Sequence, residues 1–535
     1  MKYAPRAVFS MLMLAGVCVL AAAAILAVAT ALVVAASTRD AWAILAAIAV
    51  MGLLVLVGFG LPAARRQQHK PVEGVLITGD EQPLLWVEIC IVAEGLHMWP
   101  PRELVLAPDA SVIASENRTW LGLRPGVRRL QLGEVLLAGL TERQLRAVIA
   151  HELLRFWGPN SCGRIIHRGK RVIGRVLELV GEDSRAGKIV GRYGRAYMAV
   201  ADPVIRRHQL DADRLSANLV GNGATSAAML EVAVLSKAWE AFVDGYLAPA
   251  AAVHRRPEDV FESFAQFLDH PTRRDQLAEA IGKPQGERRY SSRPSLADRL
   301  SAVASLPDDQ TRDRSGRALD MLRDPDHEIR RVHEWMFQDV DVKPATWEEI
   351  VPAAGRAAAR QDARKLVRLG QEGELGERLA VRDLLDILRF GLAEEMVRPL
   401  SERGALQEVE RQEVERHEVE RQMVERQMAG RLVTAFLATA AIEAGTASYR
   451  FSWATPWHLV DGKGEDEDLP TLVDAALADP AEVGALEKWL RTHRLNMDLL
   501  LGDDGGSDLR PDLTVASAES PDEVPMEATQ PSMVA

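Results

Sequence analysis

A histidine and a glutamate stand side by side at His151 and Glu152, within the segment 141–157, which reads TERQLRAVIAHELLRFW. Two imidazoles one helical turn apart, with a glutamate next to the first, form the H-E-x-x-H pattern of zinc hydrolases. The imidazoles bind the ion, and the glutamate acts as general base on a zinc-bound water. In this chain Arg155 holds the position of the second imidazole. The chemistry of the segment depends on that substitution.

The segment itself is predicted to be an amphipathic helix. Thr141 is a suitable N-cap, and Gln144 three residues later completes a capping-box pattern. The apolar residues that follow recur at helical spacing; they are Leu145, Val148, Ile149 and Leu153. This periodicity places His151 and Glu152 on a regular helix.

Periodicity and turn residues also predict the elements around this helix. They are a helix at 83–98, short strands within 103–132, a short helix at 134–140, and a helix at 205–221 that ends at Gly221. The sequence therefore predicts a mostly α fold with a small β-sheet beside the helix of His151.

Two apolar runs, 8–37 and 41–64, stand near the N-terminus, free of charged residues and separated only by Thr38-Arg39-Asp40. Each is longer than the ~20 residues that a helix needs to cross a bilayer. A secretory signal would have a shorter apolar core and no second run after it. The two runs predict a transmembrane hairpin.

Positive charges flank this hairpin on its outer ends. Lys2 and Arg6 precede the first run, and Arg65, Arg66 and Lys70 follow the second. Lysine and arginine accumulate on the cytoplasmic side of spans. We therefore expect an integral, multi-pass protein of the cell (inner) membrane, with the bulk of the chain in the cytoplasm.

The overall composition excludes some functions. The formal net charge of −12 and the pI near 5.6 argue against a nucleic-acid partner. Three cysteines are too few for a disulfide framework or a cysteine zinc site. The many alanines and arginines are typical of a bacterial chain.

The chain is predicted to have four parts. They are a transmembrane hairpin at 1–66, a folded domain at 67–305, a helical C-terminal region at 306–500 and a disordered tail at 501–535. The tail is predicted from its Asp, Ser, Pro and Gly content. Residues 409–428 repeat a pentapeptide beginning Val-Glu-Arg, whose step of five matches no coiled-coil seam.

Three stretches of the 67–305 domain resemble, in order, the HtpX-like and CAAX-prenyl-protease-like family of membrane zinc metallopeptidases. They are LQLGEVLLAGLTERQLRAVIAHEL at 130–153, RRHQLDADRLSA at 206–217 and RPSLADRL at 293–300. The resemblance covers roughly residues 80–305. It implies a zincin-like peptidase domain that faces the cytoplasm, binds zinc and acts on protein or peptide substrates.

The resemblance implies roles for six positions. His151 matches the first zinc ligand, Glu152 the general base, and Asp213 the aspartate of the E-x-x-A-D motif. The other three depart from the family: Arg155 replaces the second histidine, Gln209 replaces the glutamate ligand, and Arg293 stands where relatives commonly have histidine. The departures fall on the metal and substrate cleft, while the apolar framework matches.

These substitutions disfavour a metal ion. Arginine keeps its proton and has no lone pair to donate, and glutamine lacks the charge of the ligand it replaces. We therefore expect zinc to be absent or weakly bound. We expect the guanidinium of Arg155 to take the place of the ion, bridging Glu152, Gln209 and Asp213.

Two functions remain open from the sequence. The first is a non-catalytic, membrane-anchored pseudoprotease that binds a protein partner. The second is an active zinc endopeptidase in membrane-protein quality control, with substitute ligands drawn from His167, His208 or Asp211.

Overall fold

The structure is a computed structural model that describes residues 73–119, 124–157, 173–174, 177, 185–273, 276–277, 294–307, 315–372, 379–398, 414–456, 458–495, 497 and 500–501. The predicted spans 8–37 and 41–64 lie outside these residues, and so does the predicted tail 501–535 apart from Leu501, which belongs to a short strand. Among the residues described, no helix combines the length and the apolar character of a membrane span.

This part of the chain is mostly helical with small sheets, as predicted. The helices are α1 (Pro83–Gly95), α2 (Glu134–Gly139), α3 (Glu142–Trp157), α4 (Arg185–Val220), α5 (Asn222–Phe242), α6 (Ala248–Ala252), α7 (Val260–Asp269), α8 (Leu296–Ala304), α9 (Pro325–Phe337), α10 (Trp347–Glu372), α11 (Val381–Arg389), α12 (Val414–Glu443), α13 (Leu469–Ala478) and α14 (Val483–Thr492). The strands are β1 (Val75–Ile77), β2 (Glu103–Ala107), β3 (Val112–Thr119), β4 (Arg124–Gly133), β5 (Arg255–Arg256), β6 (Lys343–Pro344), β7 (Leu379–Ala380), β8 (Ala447–Arg450), β9 (His458–Asp461) and β10 (Leu500–Leu501).

The chain forms two compact units that interleave in sequence. The first contains the described residues up to Trp239 together with Leu277–Gln338. The second contains Glu240–Gln276 and the described residues from Asp339 onward. These units divide the chain after Trp239, Gln276 and Gln338. The predicted domain boundary between residues 305 and 306 stays a prediction.

The first unit is built on a four-stranded sheet of order β1-β2-β4-β3. β2 and β4 run parallel, with Val105 opposite Gln131, while β1 and β3 pair antiparallel with their neighbours. The alternate side chains Leu104, Leu106 and Leu130 are completely buried. Val105, between Leu104 and Leu106, is also completely buried, so β2 is covered on both of its faces, as is typical of a strand with a parallel neighbour.

A buried corner at Asp109 sets the turn from β4 into the helices. The carboxylate of Asp109 accepts hydrogen bonds from the backbone N–H of Ser111 (3.1 Å) and from Nε2 of Gln131 (3.0 Å). Burial raises the pKa of Asp109 to about 6. A Cβ added at Gly133 would lie 2.2 Å from the backbone oxygen of Asp109. Only glycine lets the two backbones approach this closely.

The second unit has an apolar core and an aromatic cluster. The apolar core is formed by side chains of α10, α11, α12, α13 and α14. Leu366, Leu384 and Phe436 of this core have no exposed surface. In the aromatic cluster, the rings of Tyr246 and Trp453 lie 5.1 Å apart. The hydroxyl of Tyr246 donates to the backbone oxygen of Ser452 at 2.7 Å.

Gly133→Ala should destabilise the first unit by about 2 kcal/mol or more, because the new methyl group meets backbone that cannot move aside. Urea unfolding of the full chain, read by hydrogen exchange of peptides from α3, measures the change. Gly79→Ala is the matched control, because its nearest neighbour would be the Trp86 ring at an ordinary 3.9 Å. Equal unfolding midpoints for the two variants would contradict the proposed role of Gly133.

Asp109 should make the stability of this unit depend on pH. Its pKa is about 6 in the folded chain and about 3.9 in an unfolded one, so the folded state binds the proton more tightly. The free energy of unfolding should therefore decrease by about 3 kcal/mol as the pH rises from about 4 to about 6. Asp109→Asn should remove this decrease, and Asp80→Asn, at an exposed site, should retain it.

Candidate functional site

The helix that carries the candidate site is α3, and its start forms as predicted. The backbone N–H of Thr141 donates to Oε1 of Gln144 at 2.9 Å, and the N–H of Gln144 donates to Oγ1 of Thr141 at 3.2 Å. This reciprocal pair confirms the predicted capping box. Leu145, Ile149 and Leu153 are at most 1% exposed, so the predicted apolar face is the buried one.

The partner of α3 is α4, which begins at Arg185, well before the predicted start at 205. Polar contacts join the two helices at three successive turns. Arg143 donates to the oxygen of Val220 (2.9 and 2.7 Å), Ser216 donates to the oxygen of Ala147 (2.7 Å), and Nδ1 of His151 lies 2.7 Å from Oδ1 of Asp213.

These contacts fix the register of the pair. From one contact to the next, the residue numbers rise along α3 and fall along α4, so the two helices are antiparallel. One further helical turn beyond His151 and Asp213 brings Arg155 level with Gln209, since neighbours on a helix face recur every three to four residues. Arg155 and Gln209, the two positions at which the resemblance would expect zinc ligands, therefore lie at the same level of the helix pair.

Asp213 is the buried anion of the site. Its side chain has no exposed surface. Arg299 on α8 donates two hydrogen bonds to it, from Nε to Oδ2 at 2.9 Å and from Nη2 to Oδ1 at 2.8 Å. Burial alone would raise the pKa of Asp213, but the hydrogen bonds and charges of Arg299 and His151 outweigh it and lower the pKa to about 2. Asp213 is therefore ionised at neutral pH.

Arg299 is a site residue that the sequence reasoning missed. Arg299 lies in the RPSLADRL stretch. The site residue predicted from that stretch is Arg293, which lies outside the described part of the chain. Two signals point to Arg299. Ser295 and Asp298 form a complete capping box that starts α8 just before it, and a buried aspartate needs a cation.

Glu152 and Arg155 form the second ion pair of the site. Nε of Arg155 lies 3.1 Å from both carboxylate oxygens of Glu152, and Nη2 lies 2.8 Å from Oε2. Both side chains are only 12% exposed. The predicted pairing of Arg155 with Glu152 is confirmed. The carboxylate of Glu152 is therefore already engaged by a cation on its own helix.

The wider bridge that we expected from Arg155 does not form. Gln209 is 6% exposed and its Oε1 has no hydrogen-bond partner. Asp213 is held by Arg299 and His151 instead. The register of the helices explains the missing contact with Asp213, because Asp213 lies level with His151, one turn away from Arg155. Gln209 lies level with Arg155, but its Oε1 accepts no hydrogen bond.

These residues do not fit a zinc ion. A protein zinc site uses three or four nitrogen, sulfur or carboxylate ligands. Here Nε2 of His151 is the one strong ligand, since its Nδ1 faces Asp213 as in many metal-binding histidines. The charge of Glu152 is paired, Arg155 has no lone pair, and Gln209 has only a neutral oxygen. Within the part of the chain that the structure describes, no three His, Cys, Asp or Glu side chains are grouped closely enough to hold a metal.

Among the described residues, neither His208 nor Asp211, two of the substitute ligands predicted from the sequence, belongs to a group of three possible metal ligands. Asp211 pairs with Arg207 at 3.1 Å and with Arg214 at 3.3 Å. His167 lies outside the described residues.

Comparison of the chain with protein-family models, with curated proteins and with solved structures returns no significant match.

Removing the arginine that holds Asp213 should destabilise the first unit strongly. Arg299→Met leaves a fully buried carboxylate with His151 as its remaining partner, and breaking a buried pair in this way costs about 3–5 kcal/mol. Arg207→Met, which breaks an exposed pair on α4, should have little effect. Urea unfolding of the full chain, read by hydrogen exchange of α4, compares them.

Asp213→Asn added to Arg299→Met should recover part of the lost stability, because it removes the uncompensated charge. If Arg299→Met is no more destabilising than Arg207→Met, the ion pair does not hold the helices together.

Proposed function

We propose that this chain is a membrane-anchored, non-catalytic relative of the HtpX-like and CAAX-prenyl-protease-like zinc endopeptidases. On this proposal a zincin-like domain at the cytoplasmic face of the inner membrane binds a protein or peptide partner without cleaving it. The apolar runs 8–37 and 41–64 support the anchor. The small sheet beside α3, and the antiparallel packing of α3 on α4, support the domain.

One observation carries the loss of catalysis. The guanidinium of Arg155 lies on the carboxylate of Glu152, at 2.8 Å between the nearest atoms. In the family pattern Glu152 is the general base and the position of Arg155 supplies a zinc ligand. Here the second residue neutralises the first. Arginine does not give up its proton at usable pH, so the base is not released by a pH change.

The charges of the site support a replacement for the metal. A zinc ion would compensate the acidic groups around it with positive charge. In this chain Arg155 compensates Glu152, and Arg299 compensates Asp213. A buried carboxylate without such a partner would be costly. The cleft is therefore stable as a polypeptide alone, which suits a domain that binds and does not cut.

Restoring the family's residues should restore zinc binding. Arg155→His together with Gln209→Glu adds an imidazole and a carboxylate at two positions that face each other, next to His151. The purified wild-type chain, treated with excess zinc and desalted, should hold well below one zinc per chain by plasma mass spectrometry. The double variant should hold about one, the stoichiometry of a single site.

Arg207→His together with Gln209→Glu is the matched control. It makes the same two exchanges, but Arg207 is an exposed residue of α4 and lies on the wrong helix to complete the site. Zinc in this control would show that binding is unspecific. Stoichiometric zinc in the wild-type chain would contradict the proposal.

A cleavage assay separates the proposal from the active alternative. The wild-type chain should leave casein intact, and Glu152→Gln should change nothing. Casein cleavage by the wild-type chain that is lost in Glu152→Gln would instead favour an active endopeptidase in membrane-protein quality control.

A further inference from the structure

Helix α1 presents apolar side chains on two opposite faces. On one face Leu85, Ile89 and Val92 are at most 2% exposed and belong to the core of the first unit. On the other face Leu84, Val87 and Ile91 are 60%, 54% and 53% exposed. Residues at these spacings lie in one row along a helix. Although Glu88 and the exposed Glu94 also lie on this helix, a helix with apolar rows on two faces normally has both rows covered.

The exposed row continues onto α4. Gly95 follows Ile91 by one turn, and a Cβ added there would lie 2.7 Å from Cδ1 of Leu219. Leu219 and Leu215, one turn apart on α4, are 38% and 46% exposed. Together Leu84, Val87, Ile91, Leu215 and Leu219 form what we call the apolar stripe. Soluble domains rarely leave a contiguous patch of this kind bare.

The surroundings of the stripe suit a lipid surface. Trp99, four residues beyond Gly95, is 81% exposed, and indole rings concentrate at the membrane–water interface. Glu88 lies beside the stripe on α1, but its carboxylate is held by Arg146 at 2.6 and 3.0 Å. A paired charge costs less to bring near an apolar phase than a bare one.

The position of the stripe in the chain favours the bilayer over other occupants. The second apolar run ends at residue 64 and β1 begins at Val75. Eleven residues reach at most about 35–40 Å when fully extended. Arg65, Arg66 and Lys70 lie in that connection, and cations near an anionic leaflet add about 1 kcal/mol each to attraction. With the proposed anchor, β1 therefore lies no further than this distance from the membrane.

We infer that the apolar stripe rests in the interfacial layer of the bilayer, so that α1 lies between the core of its own unit and the lipid. The inference rests on the membrane anchor of the proposed function, and not on whether the site cleaves. In this arrangement the stripe orients the first unit on the membrane, whereas the hairpin alone would only tether it.

Site-specific fluorescence on the full chain in liposomes tests the inference. In a chain whose Cys18, Cys90 and Cys162 are replaced by serine, a single cysteine is introduced as Ile91→Cys and labelled with a nitrobenzoxadiazole dye. Ser301→Cys is the matched control, at an exposed position of α8. Helix α8 packs on the side of α4 that carries Asp213, roughly opposite to Leu215 and Leu219.

Lipids with a nitroxide near the headgroup should quench the dye at position 91 about twofold, because interfacial helices bury their apolar faces by ~5–10 Å. Aqueous iodide should quench it little. The control should show the reverse pattern. If iodide quenches both positions equally, the stripe faces water and the inference fails.

If neither quencher reaches position 91, protein covers the stripe, and this outcome also overturns the inference. Alkaline carbonate extraction of the same liposomes is the separate test of the anchor. Release of the chain by carbonate would overturn the anchor and the inference with it. Retention together with iodide quenching at position 91 would overturn the inference alone.

Discussion

The first unit depends on one buried negative charge. Asp213 lies without exposed surface between α3, α4 and α8, and it is tolerated only because Arg299 and His151 reach it from the two neighbouring helices. A buried carboxylate of this kind adds little net stability, but it penalises every arrangement that leaves it unpaired. It therefore selects the register in which Arg143, Ser216 and His151 all find their partners, and that register places Arg155 opposite Gln209.

The same logic explains the rest of the site. In a metal centre a mobile ion supplies the positive charge that acidic side chains need, and it can be removed. In this chain the compensating charge is attached to the backbone, through Arg155 for Glu152 and Arg299 for Asp213. The result is two ion pairs, whereas a catalytic zinc centre keeps one coordination position open. The buried Oε1 of Gln209, by contrast, has no hydrogen-bond partner.

Local patterns made part of this structure predictable. The capping box at Thr141, the apolar period of α3 and the short strands from Glu103 each depend on residues close in sequence, and each forms where the sequence places it. The pairing of Arg155 with Glu152 was also predictable, because three residues separate neighbours on one helix face. Arg299 was not, since its contact with Asp213 spans 86 residues. The predicted bridge from Arg155 to Asp213 was wrong for the same reason, because the sequence of a single helix does not determine its register against another helix.

The facing of Arg155 and Gln209 also restricts the order in which such a site can be lost or regained. A glutamate introduced first at position 209 would lie level with the guanidinium of Arg155. Its negative charge would therefore be compensated. A histidine at 155 introduced first would leave Glu152 without its cation in a site that holds no replacement. One mutational route between the metal-binding and metal-free forms is therefore passable and the other crosses an unstable intermediate.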